Sequence, residues 1–145
     1  LYFDSAYVAK CYLNEPDGQL VRALARNAPG LSSSALCIAE VACVFHRHVR
    51  EGTLSAAQAA RLRLLFLEDI ENEVWNLIPL TSRLLHRVEF MTRKLPSSCY
   101  LRAGDAIHIV SAAEAGFNEI WTSDRHQLAA AAHFGIVGRA VSLNN

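Results

Sequence analysis

The 145-residue chain carries no excess charge of either sign, with 14 Lys and Arg against 14 Asp and Glu. A zero balance gives no global pull toward polyanions, so any nucleic-acid role must rest on local geometry. Long apolar runs are missing as well. The longest, such as Val41 to Phe45 and Leu128 to Ala132, fall far short of the ~18–20 residues a membrane helix needs. No basic region leads into an apolar stretch and a small-residue cleavage site, so a cytoplasmic location is expected. Because the chain opens at Leu1-Tyr2-Phe3 without Met, a residue or two of the native N-terminus is expected to precede it. Seven Gly and four Pro, scattered singly, exclude collagen-like and linker-like chains, and no 20–50-residue repeat signals a solenoid. The four cysteines, Cys11, Cys37, Cys43 and Cys99, form no CxxC pair and have no His at zinc-site spacing, so reduced thiols are expected. GxxxxGK[ST], GxGxxG and GxSxG are all absent, which argues against nucleotide kinases, NAD enzymes and serine hydrolases.

What is present is a well-buried globular composition, 52% hydrophobic and 19% charged, in a length that suits one domain over residues 1–145. Tyr2-Phe3 reads as a short strand ending at Asp4, followed by a helix with Val8, Cys11 and Tyr12. Asp17 is expected to cap a second helix carrying Leu20, Val21 and Leu24. Leu31 to Ser34 resembles a strand leading into a helix with Ile38, Val41, Ala42, Phe45 and Val49 on one face. Ser55 and Gln58 form a capping-box pair before a helix with Ala59, Leu62, Phe66 and Ile70 inward. Val74 to Leu80 is a strand, and Thr81 caps a helix with Leu84, Leu85, Val88 and Met91 inward. Leu101 to Ala115 is an apolar helix. A strand at Glu119 to Thr122, a helix at Arg125 to Phe134 closed by Gly135, and a strand over Ile136 to Leu143 complete the chain. Such alternation implies a mostly parallel sheet with helices on both faces and function at the C-terminal strand ends.

Four acids then fall in corresponding places. Asp4 ends the first strand, Glu40 lies early in the helix after the second, Asp105 opens a helix, and Asp124 follows the strand ending at Thr122. At 100° per residue, Glu40 points away from the Ile38/Phe45/Val49 stripe and toward the loop-side cleft. Each acid alone reads as a helix cap. Brought together they repel, and a divalent cation resolves the repulsion. Oxygen donors without Cys or paired His favour Mg²⁺ or Mn²⁺, ions suited to activating water against a phosphodiester.

The segments Tyr2-Phe3-Asp4-Ser5-Ala6-Tyr7-Val8-Ala9-Lys10, Ala39-Glu40-Val41, Arg102-Ala103-Gly104-Asp105-Ala106-Ile107-His108 and Trp121-Thr122-Ser123-Asp124-Arg125-His126-Gln127-Leu128 resemble the four acid-bearing blocks of PIN-domain ribonucleases. Among these, the VapC toxins of prokaryotic toxin–antitoxin pairs are the nearest likeness. The resemblance implies a PIN-like, Rossmann-like three-layer α/β/α sandwich and a Mg²⁺- or Mn²⁺-dependent endoribonuclease leaving a 5′-phosphate and a 3′-hydroxyl. It implies Asp4, Glu40 and Asp105 as metal ligands, Asp124 completing the quartet directly or through water, and Ser5, Thr122 and Ser123 as supporting residues. A cognate VapB-like antitoxin and a homodimer are further expected. The antitoxin groove is placed on the Val8/Cys11/Tyr12 face and the helices between Thr53 and Met91. Gly104 departs from the family, whose members more often carry a larger residue before the third acid, and is expected to alter local helix packing.

His108 and His126 stay outside the catalytic set, each reading as an ordinary helical histidine. His46, Arg47, His48 and Arg50 suit the C-terminal end of their helix. Some of Arg83, Arg87, Arg93, Lys94 and Arg102 are expected to edge the cleft and attract RNA, whereas Tyr7, Tyr12 and Phe90 read as packing residues before base-stacking ones. A haloacid-dehalogenase phosphatase would need a second Asp where Ala6 stands. The remaining alternatives are a PIN nuclease of RNA processing or decay and a non-catalytic PIN-like binding module.

Overall fold

A computed structural model describes residues 1–142 of the chain. Its elements are α1 (Ser5–Tyr12), α2 (Gly18–Arg26), β1 (Leu31–Ser34), α3 (Cys37–Arg50), α4 (Ala56–Glu71), β2 (Trp75–Ile78), α5 (Ser82–Thr92), α6 (Ala103–Glu114), β3 (Glu119–Trp121), α7 (Arg125–Ala130), a 3-10 turn (Ala131–Phe134) and β4 (Val137–Arg139). β1 pairs in parallel with β2, and β3 with β4. Tyr2 and Phe3 make only single parallel bridges, to Ser32 and Trp121 respectively. Asp4 caps a helix immediately after them, so the segment is too short for a full strand. It nevertheless joins the two strand pairs, through Phe3 N–H to Ser32 O and Trp121 N–H to Tyr2 O, each 2.9 Å. The spatial order is therefore β2, β1, the Tyr2-Phe3 segment, β3, β4.

Successive side chains of extended backbone point to opposite faces, and these two aromatics anchor one core each. Phe3 packs with Tyr7, Val21, Val41, Phe45, Phe66 and Trp75 under α1 to α4. Tyr2 packs with Leu84, Ile109, Ile120 and Phe134 under α5 to α7. The result is the α/β/α sandwich that the alternating sequence pattern implied.

Several local expectations hold, including the Ser55/Gln58 capping box, the Thr81 cap and Gly135 in the left-handed conformation after the 3-10 turn. Others need correction. Asp17 sits at the start of α2 without capping it, because its carboxylate is engaged by Lys10 Nζ at 2.5 Å. Ile38 and Leu85 are exposed, since α3 turns Cys37, Val41 and Phe45 inward and α5 turns Leu84 inward. The apolar helix begins at Ala103, after an extended Arg102. β4 stops at Arg139, and Leu143, expected to end it, lies outside the described residues.

Gly138 shows how closely α7 rides on β4. A Cβ there would stand 2.8 Å from both Cα and O of Leu128, and backbone atoms cannot yield cheaply. We expect Gly138→Ala to destabilise the fold by about 1–3 kcal/mol, the usual cost of overpacking, measured as a lowered denaturant midpoint at unchanged m-value. A midpoint equal to wild type would refute this packing.

Candidate active site

The strand ends open into a cleft of about 520 Å³ whose lining includes Asp4, Ser5, Lys10, Glu40, Arg47, Arg102, Asp105, His108 and Asp124. All four sequence-derived acids thus meet in one cleft. Asp4 is 5% exposed and caps α1, accepting from Tyr7 N–H at 2.9 Å. Its other oxygen accepts from the Thr122 hydroxyl at 2.5 Å. Thr122 Oγ1 in turn accepts from Asp124 N–H at 2.9 Å, so one buried hydroxyl fixes the spacing of two acid-bearing loops. Asp124 caps α7, accepting from His126 and Gln127 N–H at 2.7 and 3.0 Å. Ser123 stands aside from the acids, where its hydroxyl meets Lys10 Nζ at 2.6 Å. Lys10 therefore ties α1 to both the Asp17 and Ser123 loops.

Glu40 is held from two sides. Ser5 Oγ donates to its Oε2 at 2.5 Å, and His108 Nε2 lies 2.9 Å from the same oxygen. A carboxylate only accepts, so Nε2 is the donor, while the Tyr2 hydroxyl meets Nδ1 at 3.2 Å. His108 is 2% exposed. The sequence reading set this residue aside, yet it holds one of the four acids. The available signal was its place three residues after Asp105, on the same helix face. Gly104 has a more specific role than altered helix packing. A Cβ at this position would stand 2.6 Å from Glu40 Oε1, so the missing side chain is the space the carboxylate occupies. The His126 ring, unlike its backbone N–H, lies outside this acid network and packs at a tilt against Tyr100.

The charges are under tension. Burial pushes the Asp4 carboxyl above the usual range, with Asp105 adding to the rise against opposition from His108, Thr122 and Tyr7. Burial likewise pushes Asp105 up, followed by the charge of Asp124 and, more weakly, of Glu40. For Glu40, burial acts upward too, but the hydrogen bonds from His108 and Ser5 outweigh it and hold the group below its ordinary value.

As the side chains stand, no three His, Cys, Asp or Glu among the described residues converge closely enough to ligate one ion. Asp4, Glu40 and Asp124 are each held by their own hydrogen-bond donors. The donor set nonetheless fits a hard divalent ion in kind. It is oxygen-only, shares one cleft, and contains two carboxylates whose charge is disfavoured where they stand.

Of the aromatics read as packing residues before base-stacking ones, Tyr7 is wholly buried and Tyr12 is engaged by Asp69 and Trp75, as packing residues would be. Phe90 is exposed but lies beside Arg87 of α5 and Lys94 just after that helix. Val8 is also wholly buried and drops out of the expected antitoxin face. Cys11 and Tyr12 line one surface cavity, and Tyr12, Leu62 and Leu65 help line a second. No helix among the described residues is long and apolar enough to cross a membrane.

Comparisons with known proteins bear on this arrangement. None of the curated proteins matches the chain. Among solved structures, VapC20 of Mycobacterium tuberculosis, a toxin that cleaves the sarcin–ricin loop, superposes with a TM-score of 0.67 at 15% sequence identity. The match covers 89% of this chain and 93% of VapC20, and at that identity it speaks for the fold. A family profile described as PIN domain matches residues 1–133, a span containing all four acids. The chain therefore belongs to the PIN-domain family, and with it to a family of nucleases.

Proposed function

We propose that this chain, acting as one PIN domain, is a Mg²⁺- or Mn²⁺-dependent endoribonuclease and the toxin of a VapBC-type toxin–antitoxin pair. The observation that carries the reading is the shared cleft, where Asp4, Glu40, Asp105 and Asp124 meet at the strand ends and two of the four are strained in their charged state. A cluster kept at that electrostatic cost makes sense where a cation completes it. Asp4, Glu40, Asp105 and Asp124 would hold the ion. When bound, it supplies an acidified water and offsets charge on the leaving oxygen of an RNA phosphodiester.

The chain's own groups do the rest. Thr122 keeps the Asp4 and Asp124 loops in register, while Ser5 and His108 aim Glu40 into the cleft. Lys10 fastens the Ser123 side of the rim. Arg47 and Arg102, both in the cleft lining, supply cations that RNA phosphates can contact without reading sequence. A VapB-like antitoxin bound over the Cys11/Tyr12 side and α4, where Leu64 and Leu65 are exposed, and assembly as a homodimer belong to the same reading. VapC20, a structural neighbour, is itself a toxin.

The test is incubation of purified protein, freed of any bound partner, with a mixed RNA pool in Mg²⁺, Mn²⁺ or EDTA. Metal-dependent cuts bearing 5′-phosphates are expected, with none in EDTA. A folded, partner-free protein that cuts nothing under either metal would overturn the nuclease reading in favour of a PIN-like binding module.

A further inference from the structure

We infer that the Tyr100 and His126 rings form a stacking shelf for one unpaired nucleobase of single-stranded RNA beside the acidic cleft. The inference deepens the proposed function, on which it rests for the identity of the polymer. Tyr100 is 54% exposed, and its ring centroid lies 4.6 Å from that of His126 with the planes tilted by 54°. The two rings come from separate segments, the approach to α6 and the first turn of α7. Each is near an acid in sequence, since Tyr100 precedes Asp105 by five residues and His126 follows Asp124 by two. Beside them opens a recess of about 270 Å³, lined by Ser98, Cys99, Tyr100, His126, Ala129 and His133.

Cations flank the rings. Arg102 Nε donates to the Tyr100 hydroxyl at 3.1 Å, with its guanidinium carbon 5.8 Å from the ring centroid. Arg125 Nε reaches His126 Nε2 at 3.3 Å. Arg102 also lines the cleft, so one side chain touches both the shelf and the place where a phosphate would be cut. A base on the shelf and its phosphate beside Arg102 is the geometry that exposed aromatics interleaved with arginine offer a single strand. The occupant is therefore an unstacked base next to the scissile phosphate. A duplex, whose bases are already stacked on each other, gains nothing from it. Burial does not explain Tyr100, because more than half of it faces solvent.

The experiment measures binding by fluorescence anisotropy in EDTA, using labelled, unstructured RNA octamers of mixed sequence, and cleavage of the same pool in Mn²⁺. Tyr100→Ala is expected to weaken octamer binding about 5- to 150-fold, the range for losing one stacked base. Tyr100→Phe keeps the ring and is expected to stay within about twofold of wild type. Phe90→Ala, on α5, and binding of the octamers annealed to their complements are expected to be insensitive. Thermal unfolding of each variant guards against a folding defect. Tyr100→Ala binding like wild type, or Phe90→Ala losing as much, would overturn the shelf. Cleavage separates the two claims. Mn²⁺-dependent cutting with no Tyr100 effect removes the shelf and leaves the nuclease, whereas Tyr100-dependent binding without cutting removes the nuclease and leaves the shelf.

Discussion

Replacing Asp105 by Asn is expected to abolish RNA cleavage, by at least about a hundredfold, while raising the melting temperature of the metal-free protein. The loss follows if Asp105 is, as proposed, one of the oxygen ligands of a cation, whose Lewis-acid contribution would be worth several kcal/mol, where each 1.36 kcal/mol is tenfold in rate. The gain in stability follows from linkage. Burial and the charge of Asp124 raise the Asp105 pKa above its ordinary 3.8, so the folded state holds that proton more tightly than the unfolded chain does. Its contribution is thus fully present below pH 3.8 and is lost as pH rises through the folded value, leaving a penalty at neutral pH that Asn removes. Added Mn²⁺ should stabilise wild type and do much less for the variant. Cleavage at the wild-type rate, or a lower melting temperature in EDTA, would contradict the assignment.

Asp105 is a cleaner test than Asp4 for a structural reason. Asp4 also caps α1 and accepts from Thr122, which itself accepts from Asp124 N–H. An Asn at position 4 would keep one accepting oxygen, so its effects on fold and chemistry are mixed. Asp105 stands in the first turn of α6, where the Arg102 backbone N–H and guanidinium favour its charge without outweighing burial and Asp124. The two variants should agree on lost cleavage and differ in stability.

The acids were legible because a strand end and a helix start are local events. A short apolar segment stopping at Asp4, or a strand running to Thr122 before Asp124, leaves marks within a few residues, and parallel topology then brings the marked positions together. The capping box at Ser55 was legible for the same reason. What the sequence did not reveal depends on contacts between distant segments. Asp17 looks like a cap until Lys10 engages it, and Ile38 looks inward until the packing of α3 on α1 and α4 is known. His108 resembles any histidine on an apolar helix, because Tyr2, Ser5 and Glu40 reach it from 106, 103 and 68 residues away. Gly104 stood out as unusual, but only the folded geometry shows the carboxylate beside it.

That carboxylate makes Gly104→Ala a sharp probe. In the first turn of a helix, alanine is ordinarily favoured over glycine by about 0.5–1 kcal/mol, so the substitution should leave the fold intact or slightly firmer. The new Cβ, 2.6 Å from Glu40 Oε1, meets the far end of a flexible side chain, and Glu40 is what gives way. Moving it breaks its registry with Ser5 and His108, and cleavage is expected to fall at least about tenfold with weakened Mn²⁺ affinity, as when groups supporting a metal ligand are altered. His108→Ala should do similar damage from the other side, at a stability cost of about 1–3 kcal/mol for the buried partners it strands. Because both act through the same carboxylate, their effects should not add. In a double-mutant cycle, His108→Ala should cost much less activity when Gly104→Ala is already present. Strict additivity, or a Gly104→Ala protein that cleaves RNA and binds Mn²⁺ like wild type, would show that the placement of Glu40 does not govern the chemistry.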